Sequence, residues 1–410
     1  MARKERRPSR AIEHARLLEA AKSVHVPPQV DVCVAGGGAG GLVAAILAAE
    51  RGASVVVLER DVECGRTILA TGNGRCNFAN ARLDPELYNE PDFVRDVCGD
   101  SWLDDVLGFF ADCGLAWEEE AEGRLYPLSR QAASVRNVLV SRARRAGVTL
   151  ATAREVVGLR PSKDGFEVTV REAFGPQGTS CLRAQVAIIA TGGGSLANGN
   201  QLCSDLGMPI QPDEPVLCPL ACEGLLPPEL DGRRVRSEVT LKRNGRVLQR
   251  RHGEVLFRPY GLSGIVVFDL SRFAGAGDVL ELDLLPGLDA VRAEKLGRDT
   301  LDGLLDPIVA ASLVAHAGDL RRALGLAKSL PYRVTGPAEA NRAQVTRGGL
   351  LVNAFDPRTL RAKDDASAMA RLYACGEALD VDGPCGGYNL AWAWKSGMVA
   401  GTAAAKETSR

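Results

Sequence analysis

Histidine is scarce: His14, His25, His252 and His316 are the four in 410 residues. None falls inside a glycine-rich segment, so a histidine general base is not expected. None accompanies a cysteine at ligand spacing either, so no zinc site is expected. Long apolar runs are missing too. Nothing approaches the ~20 residues that cross a bilayer, and no secretory leader is visible, so no membrane partner is expected. Charge of one sign is also lacking. Fifty Lys and Arg stand against 51 Asp and Glu, a net −1, which gives no global basic surface for nucleic acid, and none is expected as partner. The eleven cysteines show no framework spacing, and Cys33 and Cys375 lie in apolar runs. Reduced thiols and a cytoplasmic location are the expectation.

What the chain does have is concentrated in Val30–Asn80. Val30-Asp31-Val32-Cys33-Val34 reads as a buried strand. It runs into Gly36-Gly37-Gly38-Ala39-Gly40-Gly41, which satisfies G-x-G-x-x-G at Gly36, Gly38 and Gly41. Leu42–Arg51 follows at helical spacing, Gly52 sits at the C-cap position, and Ala53–Leu58 is a second strand ending at Glu59 and Arg60. The glycines permit a tight turn, close approach of backbone to a pyrophosphate, and close helix–strand packing. Ala39 and Gly40 open a helix whose free N–H groups suit phosphate. Glu59, ~20 residues on, suits ribose hydroxyls. A flexible glycine turn is the bland alternative, and the ordered strand, glycines, helix, strand and acid argue against it. The order predicts a dinucleotide site.

At 410 residues more than one structural unit is expected. Residues 1–27 form an extension in which Arg3, Lys4, Arg6, Arg7 and Arg10 precede a weakly amphipathic segment, Ala11–Val24. One reading is a basic arm touching an anionic partner; a solvated helical extension docking on its own domain is the favoured expectation. Gly65–Asn80, dense in glycine, amide and arginine, reads as a structured loop wrapping an extended cofactor. Trp102–Cys113 and Ala132–Ala146 read as helices, and Gly123–Ser129 as a turn or edge. Thr149–Thr152, Glu155–Pro161, Gly165–Arg171 and Ser180–Ala184 read as an antiparallel meander. Gln185–Ala190 is a buried strand ending in Thr191-Gly192-Gly193-Gly194. Val239–Gln249, Gly253–Phe257, Ile265–Leu270 and Val279–Leu285 read as barrel strands. Asp289–Ala327 reads as two or three helices with Leu301, Leu304, Leu305 and Ile308 on one face. Leu372–Glu377 is a further strand, and Gly386–Leu390 opens a last helix, Ala391–Lys406. The boundaries expected are 28–200 for a first domain, 201–345 for an insert (barrel 201–287, helical 288–340) and 346–410 for the return.

Three segments carry a resemblance: Gly65–Asn80; Gly253–Phe257 with Gly261-Leu262-Ser263-Gly264; and Gly376–Gly383 with Gly386–Trp394. Together they resemble bacterial FAD-dependent oxidoreductases described as aminoacetone-oxidase-like, related to a 3-dehydro-bile acid reductase, over about Val30–Gly401. The resemblance implies an α/β fold: a Rossmann-like FAD-binding domain of the two-dinucleotide-binding type, split by an inserted β-barrel and small helical part. Gly36, Gly38, Gly41 and Glu59 would hold the ADP portion. Arg66, Gly74, Arg75, Cys76 and Asn77 would line pyrophosphate and flavin. Thr191, Gly192, Gly376, Glu377, Gly387, Tyr388, Asn389 and Leu390 would complete the pocket. The family carries a basic residue where Thr67 stands, and Ser195–Gly199 is shorter than in relatives.

The chemistry expected is hydride transfer between flavin N5 and a small amine, alcohol or enone, with NAD(P)H a transient donor. No second nucleotide-binding motif follows a strand, so NAD(P)H has no Rossmann domain of its own. Candidate acid–base groups are Tyr388, Glu377, Asp380 and Asp382, with Arg75 as electrostatic partner; for the acids, structural hydrogen bonding is the competing role. Cys64 and Cys76 are too far apart for the C-x₂₋₄-C pair of a disulfide reductase. Two other readings remain: a structural or sensing FAD serving a macromolecule such as tRNA, and a redox sensor built on Cys76. Oligomeric state and substrate are not legible in the sequence.

Overall fold

A computed structural model describes residues 10–175, 178–193, 199–297, 299–363 and 368–408. Arg3, Lys4, Arg6, Arg7, Gly194 and residues 195–198 of the expectations above lie outside these. The chain divides into two compact units, Met1–Glu214 with Thr346–Arg410, and Pro215–Val345. Residues 201–214, assigned above to the insert, group with the first unit, because Leu202 and Cys203 are buried in its core.

The first unit is organised by a seven-stranded sheet. Its parallel part runs Thr149–Thr152, Val55–Glu59, Gln29–Ala35, Thr179–Ile189, with Leu372–Ala374 also on the last of these. Val32, Val34, Val56 and Val57 are fully buried. This is why these strands read as continuous apolar runs: side chains on both of their faces are buried. Thr149–Thr152 pairs parallel to Val55–Glu59 and so belongs here, not to the meander. The meander itself is Arg154–Ser162, Gly165–Glu172 and Thr179–Ile189. The runs Ser180–Ala184 and Gln185–Ala190 are a single eleven-residue strand. It is half-exposed at its antiparallel end and buried at its parallel end, so its pattern changes midway and looks like two elements.

The second unit contains a closed barrel of Leu220–Glu223, Gly261–Ser263, Arg246–Arg258, Arg234–Arg243, Val279–Asp283 and Leu330–Pro337. Three helices, Ala290–Leu296, Pro307–Ala317 and Leu320–Lys328, share its core. Two expected strands differ. Val239–Gln249 is broken by Asn244-Gly245, both at positive φ (50° and 78°), the two-residue turn that matches strand twist. Ile265–Leu270 is a helix, Ile265–Ser271. Its β-branched residues favour a strand, but Val266 lies against the open face of Gly253, and Val267 and Leu270 bury beside it. Packing overrides propensity there. Leu301 is buried in a turn, not on a helix.

Among the described residues no helix is long and apolar enough to cross a membrane. A close contact in the first unit joins helix Ala39–Ala49 to helix Tyr388–Thr408. A Cβ on Gly401 would stand 2.2 Å from Ala44 O, and one on Gly397 2.4 Å from Gly40 O. Gly401→Val should therefore destabilise by about 1–3 kcal/mol or more, the range for overpacked interiors. Thermal unfolding checks it: the apparent melting temperature should drop by several degrees, and an unchanged value would contradict this packing.

Candidate functional site

The turn after strand Gln29–Ala35 fixes the first half of the site. Gly36 has φ +106°, and a Cβ on it would stand 2.3 Å from Ala190 O, so a side chain is excluded where the two strands end. Gly38 caps helix Ala39–Ala49 with no side-chain hydrogen bond, and the first turn carries no acid. The N-terminal N–H groups are thus open to an anion, with the helix dipole behind them. Glu59 closes the turn: its Oε2 accepts from Gly37 N at 2.7 Å and its Oε1 from Asp61 N at 2.8 Å. Burial pushes its carboxyl above the ordinary range, against those two bonds. Arg66 turns to Asp61 (2.9 Å) and Arg60 is exposed.

Gly65–Asn80 is more regular than a loop. It holds a short helix, Arg66–Ala70, a tight turn, and a two-residue strand, Ala79–Asn80. Asn73 and Cys76 adopt positive φ (55° and 58°), as do Gly72 and Gly74, so the backbone around Arg75 is strained. Arg75 lies over the Tyr126 ring at 4.7 Å. Its acidic neighbour, Glu120 at 3.7 Å, is already held by Arg130. Cys76 is wholly buried, and desolvation pushes its thiol up to about 12. A thiol so firmly protonated is a poor nucleophile and a poor redox sensor.

The C-terminal motif supplies the other wall. Gly376 N donates to Ser396 Oγ (2.9 Å), and Trp392 Nε1 to Gly376 O (3.0 Å). Glu377 Oε1 accepts from Thr346 N at 2.7 Å and packs on Gly193 beside Gly192. Burial, chiefly, raises Glu377 to about 7. Asp380 accepts from Gly348 N (2.9 Å), with Asn89 Nδ2 at 3.3 Å. Asp382, fully buried, takes a bidentate pair from Arg347 at 2.7 and 3.1 Å. Tyr388 OH donates to Arg82 O at 2.9 Å, and Asn389 bonds both backbone groups of Gly383. Gly387, with φ +99°, passes so near Ala79 that a Cβ would stand 2.4 Å from its carbonyl oxygen. Leu390 lies in the first turn of helix Tyr388–Thr408.

Of the candidate catalytic groups, Tyr388 and Asp380 are thus engaged in holding backbone, while Arg75 keeps an open face. Arg347 and Asn89, not singled out in the sequence, turn out to organise the acidic loop. An arginine directly before Gly348-Gly349 was the available signal.

Do these residues fit the FAD that the resemblance implies? Among the described residues two buried side-chain polar atoms lack a hydrogen-bond partner, Asn77 Oδ1 and Thr191 Oγ1. Such atoms cost about 1–3 kcal/mol each when unmet. Both belong to the segments that the resemblance assigns to the cofactor. With the uncapped helix end and Glu59, the donor and acceptor set fits a dinucleotide.

Two measurements follow. Thr191→Val removes an unmet hydroxyl at equal volume, so the FAD-free protein should melt no lower than the parent. FAD should bind more weakly by roughly fivefold, for about 1 kcal/mol of lost hydrogen bonding; flavin fluorescence titration reads this, and unchanged affinity would remove Thr191 from the site. For Glu377, a folded value near 7 lies above the unfolded carboxylate value. Its contribution to stability is therefore full in acid and is lost as pH rises through about 7. Glu377→Gln should flatten the fall in melting temperature of the FAD-free protein as pH rises from the ordinary carboxylate range to about 7. Parallel curves for parent and variant would refute the assignment.

Comparison with known proteins supplies the family. Residues 30–403 match the family model described as "HI0933-like protein Rossmann domain". The chain is 32% identical to the 3-dehydro-bile acid delta(4,6)-reductase of Clostridium scindens, covering 91% of this chain and 98% of that protein. It is 26% identical to the ribosomal RNA dihydrouridine synthase of Escherichia coli, covering 89% and 96%. The solved 3-ketosteroid-delta4-(5alpha)-dehydrogenase of Rhodococcus jostii RHA1 shares the fold at TM-score 0.51 and 16% identity, over 94% of this chain and 99% of that one. The chain belongs to the HI0933-like family of FAD-binding Rossmann proteins and is an FAD-dependent oxidoreductase.

Proposed function

We propose that this protein reduces a carbon–carbon double bond conjugated to a carbonyl, on a compact ring substrate. What carries the reading is a shared transformation behind two different names. A 3-dehydro-bile acid with delta(4,6) unsaturation is a conjugated enone. Dihydrouridine is uridine whose ring double bond, conjugated to a ring carbonyl, has been saturated. In both cases hydride goes to the carbon remote from the carbonyl and a proton to the carbon beside it. Reduced nicotinamide is the two-electron source we assign.

FAD, when bound, supplies the hydride relay between donor and substrate. The chain's own residues do the rest. Gly36, Gly38, Ala39, Gly40, Gly41 and Glu59 would hold the ADP half. Asn77, Thr191, Gly192, Gly376 and Glu377 would hold the half nearer the ring, with Gly387, Asn389 and Leu390 shaping its end. Arg75 is suited to stabilise negative charge that develops on the substrate carbonyl oxygen, since its guanidinium is held over Tyr126 and is not consumed by a close ion pair. Tyr388 and Asp380 serve as positioning residues here, because their polar atoms are spent on Arg82 O and Gly348 N. Buried, protonated Cys64, Cys76 and Cys375, each pushed up to about 12, keep thiolate chemistry out of the site.

Anaerobic stopped-flow separates the parts of this reading. NADH or NADPH should bleach the flavin band, and a 3-oxo-4-ene steroid or another cyclic enone should restore it. If neither nicotinamide bleaches it, the donor assignment fails; if dithionite-reduced protein is not reoxidised by any enone, the substrate class fails. Arg75→Ala should slow reoxidation by on the order of 10²-fold, the cost of one preorganised donor to developing charge, at unchanged flavin content.

A further inference from the structure

Saturating a conjugated double bond takes two transfers at carbon. A hydride, carrying both electrons, arrives at the carbon remote from the carbonyl, and the π pair shifts to the carbonyl oxygen. A proton must then be added at the carbon beside the carbonyl. Arg75 answers the charge on oxygen, but the proton needs a donor of its own. Glu377 is turned to Thr346 N and Asp380 to Gly348 N. The Tyr388 hydroxyl is spent on Arg82 O.

The tyrosines narrow the choice. The chain has six. Tyr88 OH donates to Tyr388 O at 2.8 Å and Tyr332 OH to Leu225 O at 2.7 Å. Tyr260 bonds Ser263 and Arg258, and Tyr373 has a partner as well. Among the described residues no hydrogen-bond partner meets the Tyr126 hydroxyl. The residue is only 4% exposed, yet its oxygen is not one of the two sealed polar atoms that lack a partner. The hydroxyl is therefore both unspent and reachable.

Its setting is the Gly65–Asn80 segment. Strand Arg124–Pro127 pairs with Ala79–Asn80, and Phe78 N donates to Leu125 O at 3.0 Å. A Cβ on Gly72 would stand 3.6 Å from Tyr126 Cε1 and 2.8 Å from Asn77 N. Asn77 Oδ1, which is unmet, lies 2.9 Å from where a Cβ on Gly387 would be. The Tyr126 ring, the strained turn and the start of the last helix thus share one locality. The ring is flanked by guanidinium groups, Arg75 at 4.7 Å and Arg130 at 5.4 Å from its centroid. Arg130 is itself held by Glu118 at 2.6 Å and by Glu120. The side chain is fixed through its ring while its hydroxyl stays free.

We infer that Tyr126 is the proton donor of this reaction, delivering its hydroxyl proton to the carbon beside the substrate carbonyl while Arg75 faces the oxygen. The inference rests on the enone reading. That carbon and the oxygen are bonded to the same carbonyl carbon, so acid and cation have to stand side by side, as Tyr126 and Arg75 do. The O–H bond breaks as the C–H bond forms, and the pair held on oxygen returns to rebuild the carbonyl. The tyrosinate then takes a proton from water.

Tyr126→Phe keeps the ring beside Arg75 and removes only the hydroxyl. Dithionite-reduced protein is mixed anaerobically with a 3-oxo-4-ene steroid, and flavin reoxidation is followed by stopped flow. The variant should reoxidise on the order of 10²-fold more slowly than the parent, within the usual worth of a general acid. Reoxidation by dioxygen, which adds no proton to carbon, should keep the parent rate. Two readouts are independent of turnover. The FAD-free variant should melt with the parent, since no hydrogen bond is lost, and fluorescence titration should return the parent affinity for FAD. Equal enone reoxidation by variant and parent overturns the assignment. So does a slowing shared with dioxygen, weaker FAD binding, or a melting temperature lower by several degrees, each of which makes Tyr126 a structural residue. A parent that no enone reoxidises instead removes the enone reading and this inference with it, so the two failures are told apart.

Discussion

The structure of the first unit depends on how closely two helices can approach. Helix Ala39–Ala49 must start at the end of strand Gln29–Ala35 for its free N–H groups to face a pyrophosphate. Helix Tyr388–Thr408 must lie against it so that the Gly376–Leu390 motif reaches the same place. Gly40 with Gly397, and Ala44 with Gly401, remove the side chains that would hold them apart. Segments more than three hundred residues apart in sequence meet only because four small residues coincide along one seam. Tyr88 OH to Tyr388 O and Trp394 Nε1 to Phe78 O, both 2.8 Å, then fasten the middle of the chain to the closing helix.

Around that seam the electrostatics follow a consistent division. Carboxyls close to the cradle are buried and shifted up: Glu59, Glu377 and Asp380, each chiefly by desolvation. They are tolerated because backbone N–H groups from Gly37, Thr346 and Gly348 meet them. Asp382 is instead held by Arg347, so the acidic loop contains one full ion pair and two acids, Glu377 and Asp380, met by backbone N–H groups. Such a cradle is preorganised yet retains unmet acceptors, Asn77 Oδ1 and Thr191 Oγ1. Asn73 and Cys76 add backbone strain at positive φ.

The second unit obeys other rules. Its barrel is filled by Val239, Leu241, Phe257, Leu280, Leu282 and Tyr332, an ordinary interior. The hairpin of Arg234–Arg243 and Arg246–Arg258 adds ion pairs, Arg234 with Glu254, Lys242 with Glu281 and Arg243 with Asp278. A composition averaged over 410 residues does not show such pairing.

The sequence by itself determined the nucleotide half of the site. Strand, Gly36–Gly41, helix and Glu59 are contiguous, and local backbone geometry dictates their chemistry. The long amphipathic helices and the meander were legible for the same reason: periodicity is a local signal. Only the tertiary structure decided the rest. Ile265–Ser271 is a helix because Gly253 leaves room for Val266, a contact that no window of neighbouring residues contains. Thr149–Thr152 is parallel because its partner is Val55–Glu59, not the strand beside it in sequence. The Tyr388 hydroxyl and the Asp380 carboxyl are occupied because Arg82 and Gly348 arrive from distant segments to meet them. Arg75 keeps an open face because Arg130 takes Glu120 first. A side chain's chemistry can be read from its type, but whether it is free to act depends on what else the fold brings within hydrogen-bonding distance.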